Sequence, residues 1–267
     1  MRITHPQATY QGIPPEDMFF VANDQQIQLG TGYSISFYQQ ELYPMRPVNL
    51  YIQIDAQPSA RSLLFGALLA RAEVIRGKNP GLPARLYAQL SPEDADMAMF
   101  YERSGMKTDD AEDMFYFDLP EELSPRTPMG IQYASVPLEG DAQQDAFVQR
   151  LNRMCIAPLQ RDQLTLWREQ PNFLAVGFYR GGQPVSELLI TGAGDQATLV
   201  QVYTRSEHRK QGFARALIYL ACGILKERGV NRVYAHVFRR NVPQVALMKR
   251  LGAQYVRTVS VLPGIDL

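Results

Sequence analysis

The C-terminal half of the chain shows two kinds of apolar pattern, one typical of strands and the other of helices. Short apolar runs separated by glycine-containing turns predict three consecutive antiparallel strands at residues 173–179, 184–191 and 197–204. The period then changes. Residues 213–228 are apolar on nearly every side of a helix and precede Gly229, which predicts a buried helix ending there.

The predicted order of elements in this half is β-α-α-β-β-β-α-β-α-β. Such an order indicates a mixed α/β fold with a partly antiparallel sheet. Asp141 is expected to be the N-cap of the first helix. The remaining elements are predicted at residues 131–136 (strand), 141–154 and 161–169 (helices), 232–238 (strand), 242–251 (helix) and 255–262 (one or two short strands).

The N-terminal half repeats the later part of this order. The segment LYAQLSPED aligns with VYAHVFRRN, which matches Tyr87 with Tyr234 and sets Gly105 and Gly252 147 residues apart. This internal period indicates a duplication whose first copy is expected to lack the opening strand and both early helices. The predicted elements are strands at 18–22, 26–39, 48–55, 84–90 and 114–119 and helices at 60–76 and 92–104.

A proline-rich stretch separates the two copies. Residues 120–130 hold three prolines and a glycine among charged residues, a composition typical of a linker. We therefore predict a boundary near residue 125, with one domain at 1–125 and the other at 126–267.

Composition excludes several classes of function. The 267 residues include 27 basic and 27 acidic side chains, so no net charge favours nucleic acid or an anionic membrane. The longest apolar run, residues 216–225, is too short to span a bilayer. Three histidines and two widely spaced cysteines argue against a metal site, and reduced thiols favour a cytoplasmic protein.

The stretch most informative about chemistry runs from a predicted strand, through a short basic loop, into the buried helix. A helix N-terminus offers unpaired backbone N–H groups and a partial positive charge. Gly212 allows a ligand to approach the backbone closely, and His208, Arg209 and Lys210 add positive charge. This arrangement favours a pyrophosphate site that needs no metal. The alternative is an ordinary strand-to-helix turn with solvated charges.

This loop resembles motif A of the GNAT N-acyltransferases, which reads Arg/Gln-x-x-Gly-x-Gly/Ala. Downstream, Asn241, Leu247 and Gly252 match the family's motif B. The resemblance covers residues 130–267 well and 18–120 weakly, so the whole chain resembles two tandem GNAT-like modules. The residues that carry motif A are Arg209, Lys210, Gln211, Gly212, Phe213 and Ala214.

The resemblance implies a co-substrate and a reaction. Motif A would hold the pyrophosphate of acetyl-CoA or another acyl-CoA through its backbone. Val202, Tyr203 and Thr204 would pair with the pantetheine arm, and Asn241 would face the pantetheine end. An amine of a small molecule or peptide would then attack the thioester directly. The corresponding stretch of the first copy, residues 55–65, has no glycine, so that copy is expected to bind CoA poorly and to be a degenerate partner.

The catalytic groups are less clear, because the tyrosine that often protonates the thiolate in this family falls on Met248. A thioether cannot donate a proton. The candidates for base and acid are Glu187, Tyr203, Tyr234 and His236, of which an imidazole is suited to exchange protons near neutral pH. The alternatives are a solvent-facing or edge position for Glu187, packing roles for the tyrosines and a structural role for the histidine.

Two other functions stay open from the sequence. A non-catalytic acyl-CoA-binding or scaffolding module would explain Met248 and the degenerate first copy. An aminoacyl-tRNA-dependent transferase would also use paired modules, but the balanced charge argues against it. The chain is expected to be a monomer or a homodimer.

Overall fold

The computed structural model describes residues 1–120, 127–155 and 158–267. They form a mixed α/β fold in two compact units. The first unit comprises Met1–Ala111 and Val259–Leu267, and the second comprises Glu112–Thr258. The predicted boundary near residue 125 lies outside the described residues, so the division into 1–125 and 126–267 stays a prediction.

The first unit is a sheet with one long helix packed on one face. Strands β1 to β5 follow one another in space, antiparallel except for the parallel β4–β5 pair, and the end of β12 pairs antiparallel with β5. Leu64, Leu68 and Ala72 of α1 pack against apolar residues of the sheet. The elements are β1 (Arg2–Thr4), β2 (Met18–Ala22), β3 (Gln28–Tyr38), β4 (Val48–Ala56), α1 (Pro58–Gly77), β5 (Ala84–Ala88), α2 (Ala95–Arg103) and β6 (Lys107–Asp118), whose last seven residues belong to the second unit.

The second unit has the same strand order, with two additional helices. Its sheet runs β7-β8-β9-β10-β11 and ends with residues 112–118 of β6, which pair antiparallel with β11. Helix α5 packs on β8, β9 and β10, and its Leu217, Ala221 and Leu225 are fully buried. The elements are β7 (Gln132–Ser135), α3 (Asp141–Asn152), α4 (Arg161–Arg168), β8 (Leu174–Arg180), β9 (Gln183–Thr191), β10 (Gln196–Thr204), α5 (Phe213–Glu227), β11 (Arg232–Phe238), α6 (Val242–Arg250) and β12 (Gln254–Asp266).

The internal repeat appears in the helix caps as well as in the order of elements. Asp94 caps α2 and Asn241 caps α6, and each side chain accepts from the backbone N–H three residues on. After each helix the chain turns through a glycine with positive φ, +88° at Gly105 and +69° at Gly252. In both turns a 6→1 backbone hydrogen bond of 3.0 Å closes the helix. The two copies therefore end their second helices by the same device.

The last strands of the two copies are exchanged. Residues 112–118, which close the first copy in sequence, pair with β11 of the second unit. The end of β12 closes the second copy in sequence, yet it pairs with β5 of the first unit, where Gly264 lies opposite Tyr87. Each compact unit is thus completed by a strand from the other copy.

Four predictions about the elements differ from the structure. The first copy does have an opening strand, β1, although among the described residues the only helix between β1 and β2 is the short 3₁₀ turn Pro15–Asp17. Gly140, and not Asp141, is the N-cap of α3. Strand β6 begins at Lys107, seven residues before the predicted start. The prediction missed these residues because the first half of the strand is polar. Strand β12 is a single strand of 13 residues. Within the described ranges, no helix has the length and apolar character needed to cross a membrane.

Candidate functional site

Strands β10 and β11 separate halfway along their length. Their parallel pairing starts at Gln196 and Arg232 and ends at Leu199 and Ala235. Beyond that point, described pairing continues only from β10 to β9 and from β11 to β6. Residues 202–204 therefore present one backbone edge to a gap between the two strands.

A β-bulge at Val200 marks where the strands separate, and a buried glutamine holds it. The register between β9 and β10 shifts between Leu199 and Gln201. The Gln201 side chain accepts from the N–H of Val202 at 2.9 Å and donates to the Met154 carbonyl at 3.1 Å. Sequence analysis did not single out Gln201, because an isolated glutamine in a strand gives no local signal.

Gln201 also donates to the sulfur of Cys155 at 3.1 Å. Burial raises the pKa of the Cys155 thiol to about 11, although the hydrogen bond from Gln201 acts in the opposite direction. The thiol is therefore protonated at neutral pH and makes a poor nucleophile.

The loop after β10 leads into the N-terminus of α5 through a left-handed residue. Gly212 has φ +87°, and a Cβ built on it would meet no atom within 4 Å. The first hydrogen bond of the helix runs from the N–H of Ala216 to the carbonyl of Gly212, so residues 213–215 lack a helical acceptor for their N–H groups. Gly212 thus lies beside open space at a helix N-terminus, where the backbone favours an anion.

Side chains of the loop hold its conformation. Arg209 donates from Nε to the carbonyl of Thr204 at 3.0 Å. The buried ring of Phe213 has its centroid 6.2 Å from that of Phe178. The His208 ring is edge-on to Phe213, with 5.9 Å between the ring centroids. Arg209 and Phe213 therefore brace the loop with their side chains, and the backbone N–H of Arg209 donates to the Ser206 carbonyl. Lys210 and Gln211 are exposed.

Glu187 lies fully buried beside the gap. Gly177, Glu187 and Tyr203 are directly opposite one another on β8, β9 and β10. Arg150 of α3 donates from Nε and Nη2 to the two carboxylate oxygens at 2.6 and 2.8 Å, and the Tyr179 hydroxyl donates to Oε1 at 3.1 Å. The alternative of a solvent-facing or edge position for Glu187 is therefore wrong.

The environment keeps Arg150 and Tyr179 each in one protonation state. Burial alone lowers the pKa of Arg150, but the hydrogen bonds and charge of Glu187 outweigh it and raise the pKa above its ordinary value. Burial, followed by the charge of Glu187, raises the pKa of Tyr179. The guanidinium thus stays charged and the Tyr179 phenol stays neutral across the physiological range.

The absence of a side chain at Gly177 makes room for the cluster. A Cβ there would lie 2.9 Å from the Tyr179 ring and 3.0 Å from Cγ of Glu187. We expect Gly177→Ala to reduce the free energy of unfolding by about 1–3 kcal/mol through overpacking. Urea denaturation measures this. Gly66→Ala, in α1 with no atom within 4 Å of the added Cβ, is the control and should be neutral or stabilising. Equal effects of the two variants would contradict the packing argument.

The two candidates on β11 lie on the same face, on either side of the point of separation. Tyr234 is opposite Thr198 in the paired part, and its ring lies 6.1 Å from that of Tyr116. His236 is on the separated part. Its side chain is 41% exposed, and Nδ1 lies 3.4 Å from a carboxylate oxygen of Glu112. Only His236 therefore combines access to solvent with a carboxylate partner.

Two residues of the motif B resemblance have internal roles. Met248 is 1% exposed and belongs to the apolar core of the second unit. Asn241 is buried, accepts from the N–H of Gln244 at 3.3 Å and donates to its side-chain oxygen at 2.9 Å. Both groups of the Asn241 amide are therefore used in capping α6.

The first unit lacks the corresponding loop. Its β4 ends at Ala56, and α1 begins at Pro58, so a single residue replaces the eight that connect β10 to α5. Part of the stretch 55–65 is thus helix. Among the residues that the structure describes, no group of three or more His, Cys, Asp or Glu side chains is arranged to hold a metal ion.

Comparisons with known proteins agree with this geometry. Residues 143–253 match the model of the acetyltransferase (GNAT) family. A GCN5-related N-acetyltransferase from Sphaerobacter thermophilus is similar with a TM-score of 0.51 and 16% identity, over 96% of this chain and 82% of that one. A probable N-acyltransferase from Enterococcus faecalis V583 is similar with a TM-score of 0.58 and 11% identity, over 92% and 61%.

At these identities, the similarities to solved structures show a shared fold. They extend over nearly the whole chain, as expected for two tandem GNAT-like modules. A search of the curated proteins finds no match. The family match and the separated strands beside the Gly212 loop fall in the same part of the chain, which therefore carries an acetyltransferase domain of the GNAT family at residues 143–253.

Proposed function

We propose that the protein transfers an acyl group, most simply acetyl, from acetyl-CoA to an amine of a small molecule or peptide. The observation that carries this proposal is the gap between β10 and β11, which lies beside the open N-terminus of α5 at Gly212. A gap with a free strand edge suits an extended amide-containing arm, and the helix N-terminus suits a pyrophosphate.

In this proposal, acetyl-CoA is held mainly by backbone groups. The carbonyl of Val202 and the N–H of Thr204 pair with the pantetheine amides, because the N–H of Val202 and the carbonyl of Thr204 already bond to the side chains of Gln201 and Arg209. The N–H groups from Lys210 to Ala214 donate to the phosphates. The side chain of Arg209 keeps the loop closed on Thr204. The Asn241 amide already makes its hydrogen bonds to Gln244. We therefore assign Asn241 the role of capping α6 and holding that helix beside the gap.

Direct attack on the thioester needs a proton acceptor for the amine and a proton donor for the departing thiolate. We assign the first role to His236, which is exposed on the separated part of β11 and oriented by Glu112. We assign the second to the phenol of Tyr203, since Met248 is a buried thioether. Glu187 accepts three hydrogen bonds and is better suited to positioning Arg150 and Tyr179 than to taking a proton.

His236→Gln is expected to lower kcat/KM by about a hundredfold near pH 7. The loss should shrink as pH rises, because the acceptor amine then reaches the site already neutral. The measurement is a pH profile of kcat/KM for both proteins. His5→Gln, in the first unit and outside the proposed acetyl-CoA site, is the control for removing an imidazole. A loss that stays constant with pH would assign His236 a structural role instead.

The experiment that tests the function is a thiol-release assay with acetyl-CoA over a panel of small amines and peptides, together with equilibrium binding of acetyl-CoA. Binding with turnover of at least one amine is the expected result. Binding without turnover of any amine would favour the non-catalytic acyl-CoA-binding module. Absence of acetyl-CoA binding would contradict the proposal.

The cellular setting is part of the same proposal. Cys155 and Cys222 are both buried and in no disulfide, and burial raises the pKa of the Cys222 thiol to about 12. A chain with two buried, unreactive thiols fits a reducing cytoplasm. We propose action there as a monomer or homodimer, without a nucleic-acid partner.

A further inference from the structure

The first unit contains a cavity of about 980 Å³ on the sheet face away from α1. The face is exposed because the first copy lacks counterparts of α3 and α4 within its described residues. Two rows of side chains cross β2, β3 and β4 there. One row is Phe20, Thr31 and Asp55, and the next is Met18, Tyr33 and Gln53. The volume is in the range of small-molecule sites.

The row with Asp55 is the counterpart of the buried cluster in the second unit. It crosses β2, β3 and β4, which correspond to β8, β9 and β10, the strands of Gly177, Glu187 and Tyr203. Asp55 lies three residues past the last β4–β5 pair, and Tyr203 lies four residues past the last β10–β11 pair. The bulge at Val200 in β10 accounts for the one-residue difference. Each row therefore contains one carboxylate at the level where its strands separate.

The two carboxylates differ in what faces them. Glu187 receives the guanidinium of Arg150 from α3. Asp55 has no hydrogen bond or ion pair with its side chain among the described residues. Among the described residues, the one cation that lines the cavity, Arg61 of α1, pairs with Asp96 and not with Asp55, so Asp55 lacks a complementary charge there.

The other charges around the cavity also favour a cation. Asp94 adds a second carboxylate, which also caps α2. Arg61 is the basic residue in the lining, and its Nη1 donates to Asp96 at 2.6 Å. The cationic charge of Arg61 is thus already matched by a residue outside the lining, and the cavity keeps a negative balance.

Aromatic rings give this site further affinity for an organic cation. Tyr10 and Phe20 are in edge contact, with centroids 5.9 Å apart, and Tyr33 lies one row along. Ring faces attract ammonium groups and also pack against apolar parts of a ligand. Amide and hydroxyl groups of Gln53 and Thr31 offer hydrogen bonds beside them.

We propose that this cavity binds a small organic amine, whose ammonium group pairs with Asp55 as the Arg150 guanidinium pairs with Glu187 in the second unit. The site is separate from the proposed acetyl-CoA site and does not depend on it. Its ligand is a cationic molecule with an apolar or aromatic part.

The test is a ligand-observed NMR titration of the full-length protein, without acetyl-CoA, using 2-phenylethylamine and its neutral analogue 2-phenylethanol. The amine should bind about tenfold more tightly than the alcohol, as expected for one ion pair with a cation–π contact. Equal affinities, or no binding of the amine, would overturn the proposal.

Three variants locate the binding. Asp55→Asn should weaken amine binding by about tenfold. Asp24→Asn, whose carboxylate is exposed and outside the cavity lining, should leave it unchanged. Thr31→Arg sets a guanidinium opposite Asp55 and should abolish binding.

Thermal unfolding checks that the variants are folded. Should Thr31→Arg fail to fold, the exposed Asp55→Asn change carries the test. Equal affinities of the Asp55→Asn and Asp24→Asn proteins would show that the amine binds elsewhere and would overturn the assignment to this cavity. Acetyl-CoA binding, measured separately, reports on the proposed function alone.

Discussion

Arg150→Met is expected to lower the free energy of unfolding of the second unit by about 3–5 kcal/mol. The substitution leaves Glu187 buried with no cation, and an unpaired buried charge costs more than the pair contributed. Urea denaturation measures the loss, with the fluorescence of Trp167 in α4, the single tryptophan, as a probe of this unit.

Two further proteins show whether burial is the cause. Arg161→Met removes a partly exposed arginine that bridges Asp141 and Asp145, and should cost less than about 1 kcal/mol. The double variant Arg150→Met/Glu187→Leu removes both charges and should recover most of the stability. A cost for Arg150→Met no greater than that for Arg161→Met would contradict the argument.

Gly212→Glu should weaken acetyl-CoA binding by more than about a hundredfold. A side chain at φ +87° strains the turn, and a carboxylate there would repel the pyrophosphate at the helix N-terminus. Isothermal titration calorimetry with acetyl-CoA measures the change, and thiol release should fall in parallel.

The control for Gly212 is Gly194→Glu. Gly194 also has positive φ, +64°, and open space around it, but it lies in the β9–β10 turn at the other end of β10. The control should bind acetyl-CoA like the unmodified protein. Tight binding by Gly212→Glu would place the pyrophosphate elsewhere.

Local patterns predicted most elements of the fold. Helix α5 and the hairpin of β8 and β9 agree within two residues, because periodicity and turn glycines mark them clearly. Strand β1 was missed, since three residues give no periodic signal. The exchange of last strands was also missed, because the choice of pairing partner depends on distant residues and leaves no mark within a strand.

Only part of the candidate site has a signal in the sequence. The Gly212 loop has a local signal, a glycine before a buried helix. The Arg150–Glu187 pair has none, because its members lie 37 residues apart on a helix and a strand. The open space around Asp55 arises because the described part of the first copy has no counterparts of α3 and α4, and such a difference leaves no signal in the sequence around Asp55.

The exchanged strands set an order for folding during synthesis. Residues 1–111 leave the ribosome before Val259–Leu267, so the edge of β5 waits for that segment to be made. At roughly 5–20 residues per second, the remaining stretch takes on the order of 10–30 s to translate. Throughout that interval β5 is an unpaired sheet edge, which other nascent chains can recognise. The segment Val259–Leu267 therefore completes the first unit and covers the edge of β5.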